Sequence, residues 1–385
     1  MGNAAEDLKI ILKETHDKER LRMVFFANTR KKILFISALA ISLLALSVIS
    51  LSIGSVHIST ADTLKSILHA ILPNVFEGPS RPYYADIIIN GRMPRVFLVL
   101  LTGTALAAAG TIMQGLLRNP MVSPFTLGVS TAASFGAAMA IVFGSSIFGP
   151  IFYTKVSSGA ITFYFSDLIV ILMSFLFGLC SIIVVLALTR KEYTSRSTVI
   201  LAGVVISYLF QAGISFSKYI SNEDALREIT LWIMGGMWNA TWGAVLILIP
   251  VVIACILYLE YLTLDINAMS SGDDVANNLG INVKKMRVNG LIVSTLVTSA
   301  CIAFTGVIGF IGLMAPHMCR MIIGNDYRYI LPASALMGSL ILLISDTVAR
   351  VIIRPSELPV GIIMYVIGGI FFLWMISRKN WGKML

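Results

Sequence analysis

The side chains that could carry out chemistry are few and widely separated in this sequence. All four cysteines lie in apolar runs, which is typical of small buried hydrophobic residues rather than of a disulfide framework. The four histidines have no spacing typical of metal ligands, and there is no GxxxxGK(S/T) phosphate-binding loop. We therefore predict no catalytic residue, no metal site and no bound cofactor in this chain.

The composition is typical of a protein embedded in a membrane. Of 385 residues, 57% are hydrophobic and only 13% are charged, whereas globular chains carry about a quarter charged residues. Ten apolar runs approach the roughly 20 residues that a spanning helix requires. They are residues 33–53, 96–117, 125–143, 168–188, 199–218, 242–261, 288–305, 307–323, 330–351 and 360–376. We divide the seventh from the eighth at Gly306, because an unbroken run would overshoot the bilayer. The sequence predicts an all-α polytopic membrane protein with ten transmembrane helices.

The distribution of charge predicts the orientation of the chain. The net charge of +9 would also suit a nucleic-acid-binding protein, but the basic residues concentrate in alternate loops. With the N-terminus inside, the inner segments hold 20 of the 29 lysines and arginines and the outer segments hold 9. Such an excess is typical of cytoplasmic loops. We predict that both termini are cytoplasmic and that the chain's surroundings are a lipid bilayer, with no nucleic acid.

Composition also divides the chain into three parts. Residues 1–32 form a charged cytoplasmic extension, for which an amphipathic surface helix and a solvated tail fit the pattern about equally well. Residues 33–378 form the ten-helix domain, and residues 379–385 form a cytoplasmic tail. Two short outer helices are also predicted, one beginning after Ser59 and one within residues 219–241.

Residues 90–132 contain the most informative pattern. Two arginines and a proline lead into an apolar run rich in Gly, Ala and Thr, which carries one amide, Gln114. Small residues let membrane helices approach closely, and an amide within such a run requires a partner or a wet cavity. The run ends at Arg118-Asn119-Pro120, where the proline stops the helix and the asparagine can cap it. A structural helix end is favoured here, with the lining of a passage as the alternative.

The longest polar segment between predicted spans is residues 262–287. Asp265 or Asn267 can cap a first short helix, and Gly272-Asp273-Asp274 can begin a second one that Gly280 closes. Two short helices across the cytoplasmic end of a bundle make a docking surface, and an ordinary helical linker is the alternative.

The fifth predicted span carries a polar face. Ser207, Gln211 and Ser215 lie four residues apart and therefore share one side of the helix. This face either lines a pathway or hydrogen-bonds to neighbouring helices.

Several motifs occur in a fixed order that resembles one known family. They are Arg92-x-Pro94-Arg95, Gly103-x-Ala105-Leu106-Ala107-x-x-Gly110-x-x-x-Gln114, Arg118-Asn119-Pro120-x-x-x-Pro124-x-x-Leu127-Gly128, Trp232-x-Met234-Gly235, Gly309-Phe310-Ile311-Gly312-Leu313-x-Ala315-Pro316-His317-x-x-Arg320, Asp346-x-x-x-Arg350 and Glu357-Leu358-Pro359-Val360-Gly361. Together with the inner loop they cover nearly all of residues 33–378. The chain resembles the FecCD family, the transmembrane permease subunits of ABC importers for iron-siderophores, haem and vitamin B12.

The resemblance implies a type II ABC importer permease in the cell membrane, with ten helices per subunit. Two copies would form a homodimer with the pathway between them, and a heterodimer with a related permease remains an alternative. Two ATPase subunits, which hold ATP and Mg, would dock on the cytoplasmic side. A substrate-binding protein would dock on the outside. The chain itself would not be an enzyme.

The resemblance also assigns roles to individual residues. The loop that couples to the ATPase would include Asn267, Ser271, Gly272, Asp273, Ala276, Leu279 and Gly280. Arg92, Arg95 and Arg350 would bind glutamates of the binding protein, and the planar, always-charged guanidinium suits such partners. The alternatives are an ion pair of Arg350 with Asp346, one helical turn earlier, and contact of the other two arginines with lipid headgroups. We expect Gln114, Ser207, Gln211 and Ser215 to line the pathway, and Arg196 and Ser197 to form an inner gate.

The cargo is not specified by these residues, because the binding protein selects it. An iron complex, either siderophore or haem, is the first expectation, followed by corrinoid or an oxyanion such as molybdate. An ion-coupled secondary transporter is a different class, but it would need acidic residues at mid-membrane. The main candidate is Asp346, which lies near the outer end beside Arg350. A membrane-embedded enzyme would need clustered His, Asp or Glu, which the spans lack.

Overall fold

The computed structural model describes residues 29–54, 56–158, 161–189 and 196–377, and these are mainly helical. In chain order the helices are α1 (Thr29–Ser52), α2 (Thr60–Ile71), α3 (Pro82–Asp86), α4 (Met93–Leu117), α5 (Val129–Phe148), α6 (Phe165–Leu188), α7 (Arg196–Ile220), α8 (Glu223–Met234), α9 (Trp242–Tyr261), α10 (Thr263–Ser270), α11 (Asp273–Asn278), α12 (Val283–Thr305), α13 (Ile311–Ile323), α14 (Tyr327–Ala349) and α15 (Val360–Ser377). The helical, multi-pass architecture is confirmed. The expectations for the extension before residue 29 and for the tail at 379–385 lie outside the described residues.

All ten predicted apolar runs coincide with helices, but one helix is short. In the described part of the chain, nine helices are long and apolar enough to cross a membrane. The remaining one, α13, has 13 residues. At about 1.5 Å per residue it reaches roughly 20 Å, less than the thickness of the hydrocarbon core. The count of ten spans and the orientation therefore stay predictions.

The chain breaks and turns where glycines adopt positive φ. The predicted division at Gly306 is confirmed, because α12 ends at Thr305 and Gly306 has φ +66°. Four non-helical residues then precede α13, so the eighth predicted run becomes helical only at Ile311. Similarly, α5 begins four residues later than predicted, because the chain turns through Gly128 at φ +81°.

The central helix of the bundle is α4, whose spanning portion is 78% buried. It packs against α9, α12, α13 and α14. Its small residues permit this packing, because Gly103 lies against the backbone of Ser339 and Gly110 lies against the backbone of Gly312. The prediction of a closely packed membrane helix is confirmed at this position.

Short elements cover the end of the bundle that we predict to face outward. The predicted short helices are α2, which Ser59 caps, and α8, which Asn222 caps. One π-helical segment, Ile87–Arg92, connects α3 to α4. A two-stranded antiparallel hairpin lies between α5 and α6, formed by β1 (Lys155–Ser158) and β2 (Ile161–Tyr164). This hairpin was not predicted from the sequence.

Three spanning helices lie at the periphery. The apolar windows of α1, α7 and α15 are only 11%, 22% and 28% buried within this chain. Large apolar side chains such as Leu44, Leu209 and Leu373 are exposed on them. These faces require lipid or another protein chain to cover them.

Candidate coupling and docking sites

Three arginines converge on one carboxylate of the inner loop. Asp273 is the first residue of α11, and its Oδ1 lies 3.0 Å from Nη2 of Arg118 and 3.0 Å from Nη2 of Arg196. Its Oδ2 lies 3.1 Å from Nη2 of Arg287. The arginines come from the C-terminal end of α4, the first residue of α7 and the start of α12. Asp273 thus joins the inner loop to three spanning helices.

Positive charge is in excess in this arginine cluster. Burial opposes ionisation of the Asp273 carboxyl, but the hydrogen bonds from Arg196 and Arg287 outweigh burial and hold its pKa below the ordinary value. Arginine remains protonated, so one negative charge faces three positive charges. Loss of the carboxylate would leave three cations close together, and the position of α11 therefore depends on it.

A second contact joins the inner loop to the turn between α13 and α14. Asn267 Nδ2 donates to Oδ1 of Asp326 at 2.9 Å, and Asn267 Oδ1 accepts the backbone N–H of Tyr327 at 2.9 Å. The hydrogen bond from Arg328, together with the one from Asn267, outweighs burial and lowers the pKa of Asp326 to about 2. No side chain caps α10, so the predicted capping by Asp265 or Asn267 is wrong.

The other predicted coupling residues differ in exposure. Ala276 is fully buried, whereas Leu279 and Ser271 are exposed. Gly272 and Gly280 have φ of +139° and +84°, which a residue with a side chain rarely adopts. The two glycines therefore set the start and the end of α11.

The inner loop also carries an exposed apolar surface, of which only Leu279 was among the predicted coupling residues. Leu264, Val275 and Leu279 on or beside α10 and α11 are 61%, 45% and 66% exposed. Exposed apolar residues at the end of the bundle that we predict to be cytoplasmic, away from the hydrocarbon core, are typical of a protein–protein contact. Apolar residues spaced three or four apart could have indicated this surface. The two helices have only 8 and 6 residues, which is too short for a helical periodicity to be recognised.

At the opposite end of the bundle, Arg95 is occupied by two carboxylates. Its Nη2 lies 2.9 Å from Oδ1 of Asp346 in α14, and its Nη1 lies 2.6 Å from Oε2 of Glu357. Asp346 is fully buried and also lies 3.1 Å from Nε of Arg350. The ion pair between Asp346 and Arg350 is confirmed, and the pairing with Arg95 is an addition.

Arg92 and Arg350 bind the C-terminal end of α1. Arg92 Nη1 donates to the carbonyl oxygens of Leu51 and Ser52 at 2.7 and 2.9 Å, and Arg350 Nη1 donates to that of Ile53 at 3.0 Å. Both side chains are buried. Helix ends leave carbonyl groups without partners, and cations are favoured there. In this conformation neither guanidinium projects from the surface, so docking of a partner by these residues stays a prediction.

Replacement of Arg350 by alanine distinguishes a structural role at the end of α1 from a role in docking the substrate-binding protein. We expect Arg350→Ala to lower the midpoint of thermal unfolding of the purified protein, because charge-assisted hydrogen bonds worth about 1.5–3 kcal/mol are lost at α1. Arg354→Ala, at an exposed arginine four residues later, is the matched control and should leave the midpoint unchanged. An unchanged midpoint for Arg350→Ala, with weaker binding of the substrate-binding protein, would contradict the structural role.

The residues expected to line a pathway lie in two different places. On α7, Gln211 and Ser215 are exposed and Ser207 is half-buried. The hydroxyl groups of both serines donate to carbonyl oxygens of α7 itself, at Gly203 and Gln211, and not to a neighbouring helix. Gln114 is instead buried in α4, where it bonds to the carbonyl oxygen of Gly312. Of the four residues expected to line the pathway, only the three in α7 therefore share one helix face.

The expected gate residues lie at the start of α7. Ser197 is exposed, whereas Arg196 binds Asp273. Arg196 was predicted to belong to the inner gate and Asp273 to the coupling loop, and no contact between the two was expected. No local pattern could have done so, because 77 residues separate Arg196 from Asp273.

A bundle of apolar helices long enough to cross a bilayer, joined by a charged and helical inner loop, defines a multi-pass membrane protein. Residues 42–378 match the model of the FecCD transport family. The chain belongs to this family, and it is accordingly a multi-pass protein of the cell membrane. The family consists of permease subunits of ABC transporters.

Individual proteins show the same relationship. An ABC transporter permease protein of Methanocaldococcus jannaschii is 40% identical over 76% of this chain and 82% of its own. The hemin transport system permease protein of Yersinia pestis is 36% identical over 76% and 83%. A solved metal-chelate type ABC transporter in an inward-facing conformation matches 89% of this chain and 98% of its own, with a TM-score of 0.74 and 28% identity. Further relatives are named for Fe(3+)-citrate, cobalamin and molybdate import.

Proposed function

We propose that this chain is the permease subunit of a binding-protein-dependent importer for an iron complex, either a siderophore or haem. Family membership and the relative named for hemin support this cargo. Corrinoid and oxyanions such as molybdate are the next candidates, since relatives are named for them. Two copies form a homodimer with the passage between them, and the weakly buried α7, with its exposed Gln211 and Ser215, faces that passage.

The inner loop transmits the work of a partner ATPase. The observation that carries this proposal is the contact of Asp273 in α11 with Arg196 at the start of α7. The ATPase subunits contact the exposed apolar residues Leu264, Val275 and Leu279 on or beside α10 and α11. When the ATPase subunits close, they displace these two helices. The ion pair then moves the inner end of α7 with α11. Asn267 conveys the same displacement to α14 through Asp326 and Tyr327.

Reconstitution tests this function. The permease, its ATPase and its binding protein are placed in proteoliposomes, and uptake of a ferric siderophore, haem, cobalamin and molybdate is measured with and without ATP. We expect concentrative uptake of the iron complex that requires ATP and the binding protein. The permease alone should accumulate nothing. Uptake driven by an ion gradient without ATP would instead identify a secondary transporter.

A further inference from the structure

A polar cavity lies beside the inner loop and shares Arg118 and Tyr327 with the coupling contacts described above. It has a volume of about 320 Å³ and opens between the C-terminal ends of α4 and α10, helix α13 and the turn before α14. Its lining includes Gln114, Arg118, His317, Arg320 and Asn325. None of the described aspartates or glutamates lines it. The motif that contains Gln114 and the motif that contains Arg320 meet in this cavity, although 206 residues separate these two side chains in sequence.

Arg320 contributes a positive charge without a carboxylate partner among the described residues. Its Nη1 donates to Oε1 of Gln114 at 2.5 Å, and its guanidinium lies over the ring of Tyr327 at 5.8 Å. No described aspartate or glutamate lies within 4 Å of its nitrogen atoms. Arg320 is half-buried, and cations that lose part of their contact with water are normally paired, because their desolvation is costly. An anion in the cavity would supply the missing partner.

Arg118 adds to the unbalanced charge. Its Nη2 shares Asp273 with two other arginines, and its Nε is buried without a hydrogen-bond partner. Buried side-chain donors are usually satisfied. The residue adopts the left-handed region, with φ +45°, where it ends α4.

His317 provides a third donor group at the wall of the cavity. Its side chain is only 3% exposed, and none of the described residues forms a hydrogen bond with its ring nitrogens. The ring packs edge-on against Phe371 and borders the cavity. Its ring nitrogens are therefore available for a hydrogen bond with a ligand in the cavity.

We propose that this cavity binds a phosphate group. Two guanidinium groups, an imidazole and amide donors offer more hydrogen bonds than the two oxygen atoms of a carboxylate accept, whereas a phosphate presents three or four oxygens to the planar arginine fork. The volume admits a phosphate with part of an organic group attached. The phosphate group comes either from a free anion in the cytoplasm or from the headgroup of an anionic lipid. A phosphate group bound between α10 and α13 stabilises the position of the inner loop relative to α13.

The first test uses the full-length permease in a neutral detergent with inorganic phosphate as the probe. We expect phosphate to raise the midpoint of thermal unfolding in a saturable way, relative to chloride at equal ionic strength. Arg320→Gln should weaken the apparent affinity by about tenfold or more, since a charge-assisted hydrogen bond is lost. Arg328→Gln is the matched control, because Arg328 is exposed, paired with Asp326 and outside the cavity. Should Arg320→Gln fail to fold, Asn325→Asp places a repelling charge at the exposed rim and should have the same effect.

The second arm distinguishes the sources of the phosphate. The same variants are unfolded in phosphatidylcholine vesicles with and without phosphatidylglycerol. Stabilisation by phosphatidylglycerol but not by inorganic phosphate, lost in Arg320→Gln, identifies a lipid headgroup. Stabilisation by inorganic phosphate identifies a free anion. The proposal is overturned if neither probe stabilises the protein, or if Arg328→Gln loses the effect as fully as Arg320→Gln.

Discussion

Asp273→Asn is expected to abolish most ATP-driven uptake while the assembled transporter continues to hydrolyse ATP. The change keeps the size of the side chain but removes the only negative charge that Arg118, Arg196 and Arg287 share. Each charge-assisted hydrogen bond contributes about 1.5–3 kcal/mol, and about 1.4 kcal/mol corresponds to a tenfold change in an equilibrium. Release of even one arginine therefore predicts at least a tenfold loss of uptake per ATP hydrolysed.

Two variants of the same helix control for charge. Asp274→Asn removes an equal charge from the neighbouring residue, which is exposed and makes no ion pair within the described residues, and it should leave uptake nearly intact. Asp273→Glu keeps the charge and should retain much of the activity. Uptake and hydrolysis are measured together in proteoliposomes. Full uptake by Asp273→Asn would show that the inner loop is only a linker.

Gly110→Ala is expected to cause the largest loss of stability among single methyl additions in α4. A Cβ at Gly110 would lie far inside contact distance of the carbonyl oxygen of Gly312, and both groups belong to backbone that cannot rotate away. The helices α4 and α13 would have to separate, at a cost of about 1–3 kcal/mol or more. Thermal unfolding and the yield of folded protein should both fall.

The control for this change is Gly369→Ala in α15. An added Cβ there meets no atom within 4 Å, and alanine favours a helix over glycine by about 1 kcal/mol. The variant should therefore unfold at the same temperature as the parent or slightly above it. Equal behaviour of the two alanine variants would contradict the close approach of α4 and α13.

The sequence was sufficient to predict the helices but not the contacts between them. Each of the ten apolar runs coincides with a helix, and Gly306 marked the division between two of them, because hydropathy and glycine conformation are local properties. The short length of α13 was missed, because four apolar residues before Ile311 are not helical. Composition cannot distinguish apolar residues in a helix from apolar residues in a buried connection.

The candidate site was predicted only in outline. The loop containing Asp273 was recognised from its motif, whereas Arg118 and Arg196 come from two other segments and were assigned other roles or none, and Arg287, at the end of the same predicted segment, was assigned none. Arg92 and Arg350 were read as surface residues, because nothing in their neighbours in sequence indicates that they bind carbonyl groups of α1. Such pairings depend on tertiary geometry.

The attachment of α1 has a consequence for how the protein is made. Ser50 at the end of α1 and Arg350, which binds it, are 300 residues apart. A ribosome makes Ser50 300 residues before Arg350, and contacts between distant parts of a chain form late. The C-terminal end of α1 is therefore secured in two stages, since Arg92 can bind the carbonyl oxygens of Leu51 and Ser52 soon after α1 is made, whereas the contact of Arg350 with Ser50 has to await the completion of α14.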